Sequence, residues 1–81
     1  MQKGAKFANI NKKSCFIDKR VKIGKNVIIY QNNHIEGKCF IGYGTILYPN
    51  NYIKDCFIGK NCMIHSSTLE NSEICNNVSI G

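Results

Sequence analysis

Large aliphatic residues recur along this chain at a nearly fixed step. From Ile17 the step is six residues, giving Ile17, Ile23, Ile29, Ile35, Ile41, Leu47 and Ile53. It shortens to five at Ile58 and continues through Ile64, Leu69, Ile74 and Ile80. Two places ahead of each anchor stands a small, β-branched or compact residue: Cys15, Val21, Val27, Asn33, Cys39, Thr45, Asn51, Cys56, Cys62, Ser67, Ser72 and Val78. Two inward positions separated by one outward residue is the alternation of a β-strand. A helix is excluded, because anchors six apart would rotate by about 240° each step and never form one stripe.

Turn residues fill the gaps between these short strands, as in Gly24-Lys25-Asn26, Gly42-Tyr43-Gly44 and Gly59-Lys60-Asn61. Glycine and asparagine accept the positive φ that a tight corner requires. Strand plus corner every six residues is compatible with a meander, a barrel or a parallel β-helix, and the hexad favours the β-helix. Three hexads close a triangular rung, and each anchor stacks on the one three steps later. The predicted columns are Ile17–Ile35–Ile53–Leu69, Ile23–Ile41–Ile58–Ile74 and Ile29–Leu47–Ile64–Ile80. The fold class is therefore all-β, with about four rungs roughly 4.8 Å apart. Residues 1–14 are assigned to a basic lead-in or linker and residues 15–81 to the rungs.

The same register places the chemistry-bearing residues. Cys15, Cys39, Cys56 and Cys62 take the small inward position as compact apolar groups, with Cys39 stacked on Cys56 and no disulfide expected between them. Cys75 follows an anchor, where other hexads carry glycine, and is expected at an exposed corner. Asn33 and Asn51 are expected to stack as an amide ladder. His34 and His65 point outward or sit at corners, with no cysteine, serine or carboxylate at catalytic spacing. Glu36, Asp55, Glu70 and Glu73 fall on outward or corner positions and form no acid–base pair. No metal-ligand spacing such as CxxC is present, so no catalytic, cofactor-binding or metal-ligating residue is assigned.

Composition changes this picture little. The chain has 81 residues, 43% of them hydrophobic, five cysteines and a formal charge of +6. That is not a disordered composition, but a globule of this length has a thin core and needs repetition or partners. The abundance of isoleucine, asparagine and lysine matches AT-rich coding and is set aside in favour of spacing. The positive charge is concentrated before residue 26, where eight Lys/Arg stand against one acid. It lacks interleaved aromatics, so a solvated segment is preferred over nucleic-acid binding. No apolar stretch is long enough to span a membrane, and the basic start lacks the apolar core of a secretory signal. With free thiols, a cytoplasmic location is expected.

Val21-Lys22-Ile23-Gly24, Ile35-Glu36-Gly37, Ile41-Gly42, Tyr48-Pro49-Asn50, Ile53-Lys54-Asp55-Cys56, Ile58-Gly59 and Val78-Ser79-Ile80-Gly81 together resemble the hexapeptide-repeat, left-handed β-helix transferases. The order and the five-residue slips resemble most the family with both N-acetylglucosamine-1-phosphate uridyltransferase and glucosamine-1-phosphate N-acetyltransferase activity. Ile74-Cys75, Gln31-Asn32 and Asn9-Ile10 depart from that family's usual pairs, none of them at a chemical step. The resemblance implies the left hand of the coil. It also implies a fragment covering the first rungs of the acetyltransferase β-helix, a homotrimer, and a place in UDP-N-acetylglucosamine synthesis for the cell wall. The family uses acetyl-CoA, glucosamine-1-phosphate, UTP and Mg²⁺. Its active-site segments match nothing in these residues, so this segment is expected to bind none of them alone, nor nucleic acid or membrane. It is expected to be scaffold. A stand-alone trimerisation module, and a piece of another hexapeptide acyltransferase or sugar nucleotidyltransferase, are the alternatives.

Overall fold

The computed structural model describes residues 8–10 and 14–81. No α-helix occurs among them. Strand β1 (Ala8–Ile10) precedes a first full turn of β2 (Phe16–Ile17), β3 (Lys22–Ile23) and β4 (Val27–Ile29). The second turn is β5 (His34–Glu36), β6 (Phe40–Ile41) and β7 (Ile46–Leu47). The third is β8 (Tyr52–Lys54), β9 (Phe57–Ile58) and β10 (Met63–Ile64), and the fourth β11 (Thr68–Glu70), β12 (Glu73–Ile74) and β13 (Ser79–Ile80). Every strand pairs in parallel with its counterpart one turn away, making three sheets: face A (β1-β4-β7-β10-β13), face B (β2-β5-β8-β11) and face C (β3-β6-β9-β12). The chain is a left-handed parallel β-helix of about four turns.

The register is the one the anchors predict. Ile17 pairs with Ile35 and Ile35 with Ile53, which pairs with Leu69. Ile23, Ile41, Ile58 and Ile74 form the second column, and Ile29, Leu47, Ile64 and Ile80 the third. These anchors and the small inward residues make one continuous core. Burial is complete in the middle turns and partial at both ends, where Ile17, Ile23, Ile74 and Ile80 have a neighbour on one side only. Strand β1 adds a fifth strand to face A from within residues 1–14, because Ile10 repeats the inward position of Ile29. The remainder of that lead-in falls mainly outside the described residues.

The corners use asparagine as the turn triplets imply. Asn26, Asn32, Asn50, Asn61, Asn71 and Asn77 all have positive φ, between 50° and 72°. Each stands just before a small inward residue, where the chain reverses direction. A short amide side chain tolerates the left-handed region better than most. The asparagine count thus answers to geometry as well as to coding bias. At Gly42 the constraint is different. A Cβ there would stand 2.6 Å from the Gly59 carbonyl oxygen, so the turns approach backbone to backbone.

Inside the prism the two amides form the expected ladder. Asn33 Oδ1 accepts from the Asn51 backbone N–H (3.2 Å), and Asn51 Oδ1 accepts from that of Ser67 (2.8 Å). Asn51 Nδ2 donates to the carbonyls of Tyr48 (2.7 Å) and Ile64 (3.1 Å). In a neighbouring column Thr45 Oγ1 donates to the Gly59 carbonyl and accepts from the Cys62 N–H. These buried polar side chains are hydrogen-bonded, so they tie successive turns together without the cost of an orphaned group.

All five cysteines are free thiols: Cys39, Cys56 and Cys62 buried, Cys15 half-buried and Cys75 exposed. Cys15 is less covered than expected because it ends its column, at the rim of a cavity of about 300 Å³ lined also by Ile10, Ile17 and Ile23. Burial pushes the Cys39 thiol above its ordinary range. Since the thiolate is the reactive form, a maleimide probe is expected to label Cys75 first, Cys15 next and the three buried thiols last. Mass spectrometry of timed aliquots checks that order, and uniform fast labelling would contradict the register.

Candidate functional site

The five-residue steps shape the surface. Between faces B and C the first two turns have two-residue corners, Lys19-Arg20 and Gly37-Lys38, where the third and fourth turns have one residue each, Asp55 and Asn71. The long corners overhang the short ones. Beneath them lies an open groove of about 920 Å³, with Lys19, Arg20, Lys22 and Lys38 at one end and Asp55 and Glu73 at the other. Its floor is the outward side of face C, where Phe40 and Phe57 are 38% and 50% exposed.

Arg20 is fixed at the rim. Its Nε and Nη2 donate to the two oxygens of Asp18 at 3.1 and 2.8 Å, and its backbone N–H donates to the same carboxylate. Asp18 also accepts from the Gly37 N–H one turn away (3.1 Å). The Arg20 side-chain hydrogen bonds, with these backbone donors, hold the Asp18 carboxyl well below the usual carboxylate range. Along the same corner Asp55 Oδ1 accepts from the Lys38 N–H one turn away at 3.0 Å.

Phe40 and Phe57 stack on each other with centroids 4.9 Å apart. In register, Lys22 lies before Phe40 and Glu73 beyond Phe57. The ring faces are therefore turned along the ladder, and the groove meets ring edges. Exposed edges make an apolar strip and offer no platform for a nucleobase.

A second cluster lies on face B. His34 is sandwiched between Phe16 (4.7 Å) and Tyr52 (5.2 Å), its Nε2 lies 3.0 Å from Glu36 Oε1, and the Tyr52 hydroxyl is 3.5 Å from the same oxygen. Burial, then the charge of Glu36, pushes the Tyr52 hydroxyl above its ordinary range. The expectation that His34 has no carboxylate at working distance is therefore corrected. Residues two apart on one strand share a face, and that parity was available in the sequence. The outward residues just before the anchors, taken in columns, also give Phe16–His34–Tyr52 and Phe40–Phe57. The surroundings restrain His34, however: both ring faces are covered and Nε2 is engaged. His65 stacks on Tyr48 at 4.0 Å, and Tyr48 on Tyr30 at 5.5 Å. Glu70 and Glu73 lie on different faces, in β11 and β12. Among the described residues no three His, Cys, Asp or Glu side chains converge as metal ligands would, and no helix is long and apolar enough to cross a membrane.

No family model matches the chain. Similarity to individual proteins is extensive. The chain is 37% identical over all 81 residues to the bifunctional protein GlmU of Prochlorococcus marinus and 46% identical over all 81 to that of Caldicellulosiruptor saccharolyticus. It covers 17% of each of those proteins. Over 72 residues it is 47% identical to the bifunctional protein GlmU of Thermosipho africanus, covering 89% of this chain and 16% of that protein. The chain thus spans about a sixth of the length of the curated relatives it matches.

Proposed function

We propose that this chain, which is related over its whole length to one segment of the bifunctional GlmU proteins, is the scaffold part of a bifunctional transferase of UDP-N-acetylglucosamine synthesis. Its work is to supply the first turns of a β-helix and, through them, a trimer. The supporting observation is how the side chains are used. Inward residues build one core and its hydrogen-bonded ladders. Outward aromatics and histidines stack on their neighbours one turn away. Acetyl transfer to an amine calls for a positioned base and an anion-binding set around a sugar phosphate, and uridylyl transfer for a phosphate cradle with carboxylates for Mg²⁺. His34, the best-placed base, is clamped between two rings. On this reading such chemistry is left to other segments of the longer transferase.

The test is direct. The 81-residue chain is incubated with glucosamine-1-phosphate and acetyl-CoA while CoA release is followed. In parallel it meets N-acetylglucosamine-1-phosphate, UTP and Mg²⁺ while pyrophosphate is followed. Neither product is expected above background. Turnover in either vessel, by protein free of host enzyme, overturns the scaffold reading.

A further inference from the structure

From the first turn to the fourth, the outward column of face C runs Lys22, Phe40, Phe57, Glu73: cation, ring, ring, anion. We propose that this face docks a second copy of the chain, antiparallel, about a two-fold axis passing between Phe40 and Phe57. Such an axis exchanges the second turn with the third and the first with the fourth. Lys22 of each copy then meets the partner's Glu73, and Phe40 meets the partner's Phe57. At the flanking corner the same axis sets Lys38 of the second turn against Asp55 of the third, and Lys19-Arg20 of the first against the neutral Asn71 of the fourth.

Three observations favour this occupant. Lys22 and Glu73 are both exposed, and among the described residues neither side chain is committed to an ion pair, so their charges are available. Phe40 and Phe57 leave an exposed apolar strip between those charges, as in a contact whose centre is aromatic and whose rim is polar. Finally, the pattern is its own complement under inversion, which is what an isologous contact requires. An acidic peptide would satisfy the basic end and leave like charges facing at the other. A parallel copy would set Lys22 against Lys22. With a net charge of +6 per chain, long-range repulsion makes this local complementarity the selector of orientation. The contact goes beyond the assembly proposed above. A trimer about an axis along the prism keeps its copies pointing the same way, whereas this contact joins copies pointing opposite ways.

The experiment uses Lys22→Glu and Glu73→Lys in the full 81-residue chain, each alone, mixed in equal amounts, and combined in one chain. Far-UV spectra report whether each variant keeps the wild-type fold, as expected for exposed positions. In sedimentation at low salt, the wild type is expected to show even-numbered species. Each single variant alone opposes like charges at both ends of the contact and is expected to lose them. In the mixture the introduced glutamate of one variant faces the introduced lysine of the other, and at the far end Lys22 faces Glu73. The mixture and the doubly substituted chain are therefore expected to pair at least about tenfold more tightly than either single variant. Added salt should erode that difference. Single variants that pair like the wild type, a mixture no stronger than its components, or a wild type with no even-numbered species overturns the proposal.

Discussion

Replacing Ile41 by asparagine is expected to lower the unfolding free energy by roughly 3–5 kcal/mol. Ile41 has no exposed surface and lies between Ile23 and Ile58 in its column. The change removes a branched aliphatic side chain and puts an amide where its neighbours are the aliphatic anchors of all three faces. The backbone N–H and carbonyl groups nearby are already committed to the ladder; the Ile41 carbonyl accepts from Gly24 N–H at 2.8 Å. The new amide therefore has no partner to offset its desolvation. Lys60, exposed on a corner, is the control, and Lys60→Ala is expected to change stability by less than about 0.5 kcal/mol. Urea unfolding of the three chains at one protein concentration reads both effects. That precaution matters because assembly adds to apparent stability. Equal losses at the two positions would show that the columns are not the core.

The isosteric change Asn51→Asp is expected to cost at least about 3 kcal/mol at neutral pH. Asn51 Nδ2 donates to the carbonyls of Tyr48 and Ile64; an aspartate oxygen in that place faces both carbonyls as a charge without a donor. The folded state therefore favours the protonated acid, and its pKa in the fold lies above the unfolded value of about 4. A group whose folded pKa is raised loses stability as pH rises through that pKa. The deficit relative to the natural chain should accordingly be smallest near pH 4 and grow toward neutrality. Paired thermal melts from pH 4 to pH 8 check the sign, and a pH-independent deficit would argue that the Asn51 side chain is not the inward donor.

These two positions also show what the sequence made legible. Ile41 and Asn51 were placed by step counting alone, since a β-helix maps spacing directly onto position: a shift of one residue would turn every anchor outward. The Asn33–Asn51 ladder followed from the same count. The outward side was harder. Outward residues are held by no packing rule, so Phe40 over Phe57 and His34 over Tyr52 depend on which turns stand level. The five-residue slips fix that and also open the groove beneath Lys19 and Lys38. The asparagine corners were legible as well: Gly24-Lys25-Asn26 and Gly59-Lys60-Asn61 read as corners needing positive φ, and Asn26 and Asn61 adopt it. Strand β1 arose from a stretch assigned by its charge, where Ile10 alone carries the inward repeat.

Sedimentation equilibrium of the purified chain from low to high micromolar concentration tests the scaffold function most directly. The expected particle mass is three times the 9.1 kDa of one chain, or an even multiple of it where the antiparallel contact also forms. A mass that stays at 9.1 kDa across the whole range would contradict it.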